Sequence, residues 1–156
     1  MGLQDRQRYT LIQEPIGELY QGLIDQACGI CEIALLVVQP SLGLQSRAEA
    51  LLGSLQPFLL DRRQTAAWPG TRLINETAWV SRFRLTPEYA LLLKSATVRL
   101  YDWQQPELPE DLALLRGDGT TWLASIAHEG DGFLELSPDE LQALRAALPQ
   151  LTLRAD

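Results

Sequence analysis

The sequence contains little of the chemistry on which most metal centres and nucleophilic enzymes depend. Its 156 residues include one histidine, His128, and two cysteines, Cys28 and Cys31. A closed zinc site needs four nitrogen or sulfur ligands, and these side chains do not supply them. Catalytic triads and Cys–His pairs would all have to use the same histidine. We therefore predict no metal ligand set and no bound cofactor.

Long apolar runs and a leader-like segment are also lacking. The longest aliphatic run covers only residues 33–38, whereas a helix that crosses a bilayer needs about 20 apolar residues. The first residues, MGLQDRQRYT, contain no apolar h-region and no small-residue cleavage site. These features predict no membrane span and no secretion signal, with the cytoplasm as the expected compartment.

Basic residues are scarce in the last third of the chain. Residues 106–156 carry ten acidic and three basic residues, whereas residues 1–105 carry ten of each. The whole formal charge of −7 therefore lies in residues 106–156. Phosphate backbones and anionic lipid headgroups are bound through Lys and Arg, so this charge argues against nucleic-acid and membrane-surface roles. It favours a basic protein partner or a cation.

Apolar periodicity predicts the elements of one domain spanning residues 1–156. Apolar steps of three and four residues between Ile12 and Cys28 predict a first helix, and CEIALLVVQ at residues 31–39 predicts a buried strand. Capping signals at Ser46, Thr86 and Ser137 begin three further helices. The remaining segments are predicted as a long loop at 61–77 with a turn at Trp68-Pro69-Gly70, strands at 78–85 and 97–103, and a connector at 104–111.

The C-terminal third has the clearest strand pattern. Segments 112–116, 120–127 and 133–136 are separated by the turns GDG and HEGDG, which predicts a three-stranded meander. Trp122 alternates with Leu123, so the middle strand should be covered on both faces. Because helices and strands do not alternate strictly, we predict an α+β fold. Its sheet is expected to be largely antiparallel, with five or six strands and helices on at least one face.

Two small motifs have competing interpretations. Cys28 and Cys31 form a C-x-x-C that closes a helix and opens a strand, the end opposite to that used by redox pairs, so both are predicted to be buried and structural. His128, with Glu129 or Asp131 beside it, is a possible general acid or base. The same residues also suit a hairpin turn.

Trp68 and the acidic residues are the candidate binding residues. Trp68 lies in a segment rich in arginine, a composition typical of interface hot spots, although it could instead cover a gap in the core. Glu107, Glu110 and Asp111 precede the first meander strand, and the turn with Glu129 and Asp131 should return to the same end of the sheet. We therefore expect these acids to crowd one exposed rim.

Residues 108–129, LPEDLALLRGDGTTWLASIAHE, resemble a segment of small bacterial proteins without an assigned activity. The resemblance implies a bacterial protein and the meander, and it carries no site residues.

Two functions follow as hypotheses. The first is a non-enzymatic protein-binding module of the inhibitor, immunity or adaptor type, whose acidic C-terminal face meets a basic partner. The second is a small enzyme that uses His128 with Glu129 or Asp131 as general acid and base. A pocket enclosing His128 would favour the enzyme, and an exposed His128 on an acidic face would favour the binding module.

Overall fold

An eight-stranded antiparallel sheet organises the chain in the computed structural model, which describes residues 5–156. The sheet order is β10-β1-β9-β8-β7-β2-β6-β3, and β4 and β5 form a separate hairpin. In chain order the strands are β1 Gln7–Leu11, β2 Ile33–Val38, β3 Leu59–Thr65, β4 Ala67–Trp68, β5 Thr71–Arg72, β6 Ala78–Arg84, β7 Glu110–Leu115, β8 Thr121–Ile126, β9 Asp131–Leu136 and β10 Leu153–Ala155.

Within the part of the chain that the structure describes, the four α-helices are short. They are α1 Glu18–Cys28, α2 Ser46–Leu55, α3 Pro87–Ala96 and α4 Pro138–Ala147. Their start signals act as the sequence predicts in α3 and α4, because the Thr86 hydroxyl accepts from the Tyr89 amide and Ser137 forms a capping box with Glu140. Within residues 5–156, no helix combines the length and the apolar character needed to cross a bilayer.

The α+β class and the antiparallel meander β7-β8-β9 are confirmed, but the predicted number of strands is too small. The sheet gains β1 and β10 near the two chain ends, and β3 at its edge. Most residues of β3 are charged or polar and partly exposed, so the strand lacks the apolar alternation by which strands are recognised. The first helix begins at Glu18 rather than near Ile12, because β1 and a short connection occupy the preceding residues.

The sheet has one face covered by helices and one covered by the small hairpin. Buried side chains of all four helices pack against the first face, in a cluster that includes Tyr20, Leu23, Leu55, Tyr89, Leu93, Leu114 and Leu144. The second face buries a separate cluster without helical residues, and Trp68 and Leu73 of the hairpin segment lie over it. That cluster includes Leu35, Val37, Val80, Ala113, Ile126 and Phe133.

Trp122 and Leu123 do not alternate as the sequence predicts. Both side chains belong to the helix-covered core, and each is at most 1% exposed. The register between β7 and β8 shifts at this point, because Leu114 pairs with Leu123 and the next residue, Leu115, pairs with Thr121. A bulge of this kind inserts one unpaired residue and re-aims its side chain. The strand is nevertheless buried on both faces. Its Trp122 side chain lies in the helix-covered cluster, and its Ala124 side chain lies in the cluster on the second face.

Two local predictions between the helices are wrong. Residues 97–103 form an isolated bridge at Arg99 and a short 3-10 helix, Leu100–Asp102, instead of a strand. Leu100 and Trp103 are both buried at a spacing of three, which suits a helical turn better than an extended chain. Residues 61–77 form most of β3 and the β4–β5 hairpin rather than a loop, although the predicted Pro69-Gly70 turn is present, with a φ of +88° at Gly70.

The two cysteines have different environments. Cys31 is buried, whereas Cys28 at the end of α1 is exposed, so the prediction of two buried thiols is wrong for Cys28. The last helical turn faces solvent at that position even though Cys28 lies on the predicted apolar stripe. Burial raises the pKa of Cys31 to about 12, and burial and the nearby Asp25 carboxylate also raise the pKa of Cys28. Both thiols therefore lack the low pKa of a redox nucleophile.

A buried ion pair ties α4 to the meander. The Arg116 side chain, 8% exposed, donates to both carboxylate oxygens of Glu140 at 2.6 and 3.1 Å. It also donates to the backbone carbonyls of Thr121 and Glu135 at 2.6 and 2.7 Å. One guanidinium thus holds the turn between β7 and β8, the strand β9 and the first turn of α4 in a fixed arrangement.

We predict that Arg116→Ala lowers the free energy of unfolding by about 3 kcal/mol, because removing one partner of a buried pair leaves the other uncompensated. The matched control is Arg99→Ala. The Arg99 side chain is 49% exposed, and its Nε lies 3.7 Å from Glu14 Oε1. That exposed pair should contribute at most about 1 kcal/mol. Urea unfolding of both variants measures the difference, and equal losses would contradict a structural role for Arg116.

Candidate functional site

Strand β7 begins two residues earlier than the sequence predicts, at Glu110. Its first two residues therefore lie inside the sheet instead of on a connector. Glu110 is 2% exposed and Asp111 is 1% exposed. The prediction that these two acids line an exposed rim is wrong, because membership of a central strand turns both carboxylates into the protein.

Asp111 is held by donors from two distant segments. Its Oδ2 accepts from Trp68 Nε1 at 2.9 Å, and its Oδ1 accepts from the backbone N–H of Ala127 at 3.1 Å. The residue has a positive φ of 54°, a region that Asp tolerates better than most residues. Burial raises the pKa of Asp111, and the two donors partly oppose this effect. The carboxylate therefore links the hairpin, the start of β7 and the turn that follows β8.

Trp68 is a structural side chain and not an exposed docking residue. It is 7% exposed and belongs to the cluster on the second face of the sheet. The arginines near it, Arg62, Arg63 and Arg72, are exposed. Of the two interpretations of this segment, cover for the core therefore fits Trp68, whose indole N–H finds a buried acceptor in Asp111.

Glu110 has one satisfied oxygen and one without a partner. Its Oε1 accepts from the backbone N–H of Gln105 at 2.6 Å. Its Oε2 is fully buried and has no hydrogen-bond partner among the residues that the structure describes. Burial raises the pKa of Glu110; the neighbouring Asp111 carboxylate adds to the increase, while the Gln105 N–H and His128 oppose it. Such an oxygen is unusual, because buried polar atoms are nearly always paired.

His128 lies on the short 3-10 turn Ala127–Glu129 between β8 and β9, next to this oxygen. Its Nδ1 is 4.0 Å from Glu110 Oε2, and its Nε2 is 3.7 Å from Glu129 Oε2. The predicted return of this turn to the end at which β7 begins is therefore confirmed. The His128 side chain is 49% exposed, so the ring lies at the surface above a buried carboxylate.

Glu110, Asp111 and His128 together form the candidate site. One ligand atom from each lies within 4.8 Å of the other two, an arrangement with the donor types of a metal site. Asp131 is not part of this group: it is exposed at the start of β9, and its Oδ1 accepts from the Gly132 N–H. Among residues 5–156, the carboxylates within 4.0 Å of the His128 ring are those of Glu110 and Glu129.

Exposed acids surround the site. Glu107 lies just before β7, Glu129 lies between β8 and β9, and Asp131 is the first residue of β9, all at the same end of the sheet. The short helix with Asp102 packs beside the turn that carries His128. These four residues are exposed, and we call them the acidic end: Asp102, Glu107, Glu129 and Asp131.

One residue of the site has no signal in the sequence. Gln105, 7% exposed, donates its backbone N–H to Glu110. Its side chain donates to the carbonyls of Gln39 and Gly43 and accepts from the Gln39 N–H. A neutral residue in a proline-rich connector offers no pattern that would distinguish this role. Its side-chain hydrogen bonds run to residues more than sixty positions away in the chain.

We predict that Trp68→Phe lowers the free energy of unfolding by about 2 kcal/mol, because it leaves a buried charged acceptor without its donor. Combined with Asp111→Asn, the two losses should be less than additive by about 1 kcal/mol or more. Urea unfolding of the single and double variants gives this coupling. Trp79→Phe serves as control, since Trp79 is partly exposed and stacks against Arg62. Full additivity would contradict the link between hairpin and strand.

We also predict that Glu110→Gln stabilises the protein increasingly as pH rises. In the unfolded chain Glu110 ionises near the ordinary pKa of 4.5, and in the native state its pKa is raised. In the wild type this group therefore lowers the stability as pH rises from the unfolded-state pKa through the native-state pKa, and the amide variant lacks this contribution. Unfolding free energies measured at about pH 4 and pH 8 test this linkage. The buffers contain EDTA so that bound metal ions do not contribute to the stability. Glu107→Gln controls for the lost charge, and a difference between Glu110→Gln and wild type that does not vary with pH would refute the prediction.

Comparison of the chain with protein-family models, curated proteins and solved structures found no match.

Proposed function

We propose that this protein is a non-enzymatic binding module that takes a basic protein partner at its acidic end. One observation carries the proposal: four exposed carboxylates lie at the same end of the sheet as two buried ones. Asp102, Glu107, Glu129 and Asp131 are exposed there, above Glu110 and Asp111. A surface of one charge attracts the opposite charge from solution and raises the rate of encounter.

The contact residues differ from those that the sequence predicts. Glu107, Glu129 and Asp131 stay in the proposed interface, and Asp102 joins them. Glu110, Asp111 and Trp68 leave it, because none of their side chains is more than 7% exposed. Buried carboxylates still contribute to the local potential, so Glu110 and Asp111 strengthen the attraction without touching the partner.

The proposal fits the energetics of rim charges. Exposed ion pairs contribute little to the final affinity of a complex, since water and salt screen them. Their main effect is on the association rate and on the exclusion of like-charged partners. We therefore expect the acidic end to select partners by charge, with the closer fit determined by the particular partner.

The enzymatic alternative has one observation in its favour. The His128 ring lies between two carboxylates, at 4.0 Å from Glu110 and 3.7 Å from Glu129. Glu110, rather than Asp131, is then the second acid of the pair. Both separations exceed the reach of about 2.6–3.2 Å for proton transfer, although such contacts often shorten when a substrate binds. The half-exposed ring favours the binding module, because it leaves the histidine in contact with water.

The proposal is tested with a fluorescent lysine-rich oligopeptide as the basic probe. The variant Glu129→Gln with Asp131→Asn should slow association several-fold at low ionic strength, and its rate should depend less on salt than that of the wild type. Stopped-flow mixing over a range of salt concentrations gives both quantities. His128→Gln should associate at the wild-type rate.

The matched control is Glu88→Gln with Asp118→Asn, which removes the same charge from the opposite end of the sheet. Asp118, like Asp131, accepts a backbone N–H within its own turn, and the side-chain oxygen of Asn can still accept that N–H in both double variants. The control should retain nearly the wild-type association rate. If both double variants slow association equally, the attraction comes from net charge and the acidic end is not the binding surface.

A further inference from the structure

A buried carboxylate oxygen without a partner marks the start of β7. Glu110 Oε2 is enclosed by the protein, while Oε1 of the same group is fixed by the Gln105 N–H at 2.6 Å. The anchored oxygen determines where the free one lies, and His128 Nδ1 is the nitrogen 4.0 Å from it. A buried anionic oxygen is costly unless a proton, a hydrogen-bond donor or a cation meets it.

We infer that Glu110, Asp111 and His128 bind one Zn²⁺ ion through their two carboxylates and the imidazole. The inference goes beyond the proposed partner binding, and it requires no partner. Three protein ligands leave a fourth coordination position for water, the arrangement of an open zinc site. The absence of a metal site was predicted from the requirements of a closed zinc site, which needs four protein ligands. An open site needs only three.

The distances require only a small adjustment. Ligand atoms at about 2.1 Å from a tetrahedral ion lie about 3.4 Å from one another. The three donor atoms here lie within 4.8 Å, and Glu110 Oε2 and His128 Nδ1 are 4.0 Å apart. His128 is the ligand free to move, since its side chain is 49% exposed and the two carboxylates are buried. Rotation of the ring toward Glu110 would close the site.

The carboxylates are already oriented by donors outside the site. Glu110 is held by Gln105, and Asp111 by Trp68 and Ala127. Each hydrogen-bonded oxygen of Asp111 keeps a second lone pair with which it can reach a metal. Ligating carboxylates in metalloproteins are usually hydrogen-bonded in this way, which fixes their orientation before the ion arrives.

The donor set indicates which ion the site takes. Zn²⁺ accepts imidazole nitrogen and carboxylate oxygen in the same coordination sphere. Ca²⁺ requires six to eight oxygen ligands, and Mg²⁺ prefers oxygen and water. A site with one nitrogen and two carboxylates therefore favours Zn²⁺ over both. Two negative charges at the site also match the charge of the ion, and the acidic end raises the local concentration of cations.

The inference is tested by titrating tag-free, EDTA-stripped protein with Zn²⁺ in a calorimeter. The Cys28→Ser background removes the exposed thiol as a competing ligand. We expect one ion per chain, and a dissociation constant at least 10-fold higher in His128→Gln and in Glu110→Gln. Trp68→Phe, which loses a donor to Asp111, should weaken binding by about 10-fold. Titration with Co²⁺ should give visible absorption bands of nitrogen and oxygen ligation that His128→Gln loses.

Asp131→Asn is the matched control, because it removes one charge from the same end without removing a ligand. It should change the dissociation constant less than 3-fold. If Asp131→Asn and Glu110→Gln weaken Zn²⁺ binding equally, the binding reflects charge attraction alone, and the proposed site is overturned. No uptake of Zn²⁺, or displacement of Zn²⁺ by an equal concentration of Ca²⁺, would overturn it as well. Since the titration contains no basic probe, a failure to bind Zn²⁺ leaves the partner-binding proposal intact. A failure of the oligopeptide experiment likewise leaves the zinc site intact.

Discussion

Two adjacent carboxylates buried at the start of a central strand are the constraint on which this structure depends. Each of them needs donors, because an unpaired buried charge costs more than a single domain can tolerate at many positions. The donors come from three separate segments: Gln105 before the strand, Trp68 in the hairpin and Ala127 after β8. The start of β7 therefore fixes the positions of segments that lie far apart in the sequence.

The second face of the sheet depends on the same interaction. No helix contributes to the buried cluster on that face among the described residues, so its apolar side chains rely on the hairpin for cover. A hairpin of two-residue strands is too short to be stable alone. It stays in place because Trp68 buries its ring against the sheet and donates to Asp111. Gly70 at its tip allows a close approach, since a Cβ there would lie 2.8 Å from Ile126.

The sequence predicts those parts of the fold that local patterns encode. Glycine turns and apolar segments reveal the meander, and Thr86 and Ser137 mark helix starts that the structure contains. The same rules miss β3, because charged residues on an edge strand conceal its period. They also misplace Glu110 and Asp111, because acids are expected in connectors. Their burial depends on donors such as Trp68, 43 positions away from Asp111, which no local pattern includes.

In the candidate site, too, some features could be predicted from local sequence patterns and others depend on distant contacts. The residues that the sequence selects for their chemistry, His128, Glu110 and Asp111, do come together, because a meander returns the chain to the same end after two strands. The burial of Glu110 and Asp111 was not predictable from the sequence. It depends on whether β7 begins two residues earlier than its apolar pattern indicates. A shift of the start of β7 from residue 112 to Glu110 is enough to change both carboxylates from surface charges to buried groups.

The acidic residues that the C-terminal third contributes to this end of the sheet therefore form two physical groups. Glu107, Glu129 and Asp131 face water, where charges act over a Debye length of about 8 Å and are weakened by salt. Glu110 and Asp111 lie where water is excluded, so they act at short range and with little screening. The exposed set suits the capture of a large cationic partner, and the buried set suits the coordination of a small ion. Because both sets lie at one end of the sheet, an ion held beneath the surface would offset the buried charges and leave the exposed ones free to attract a partner.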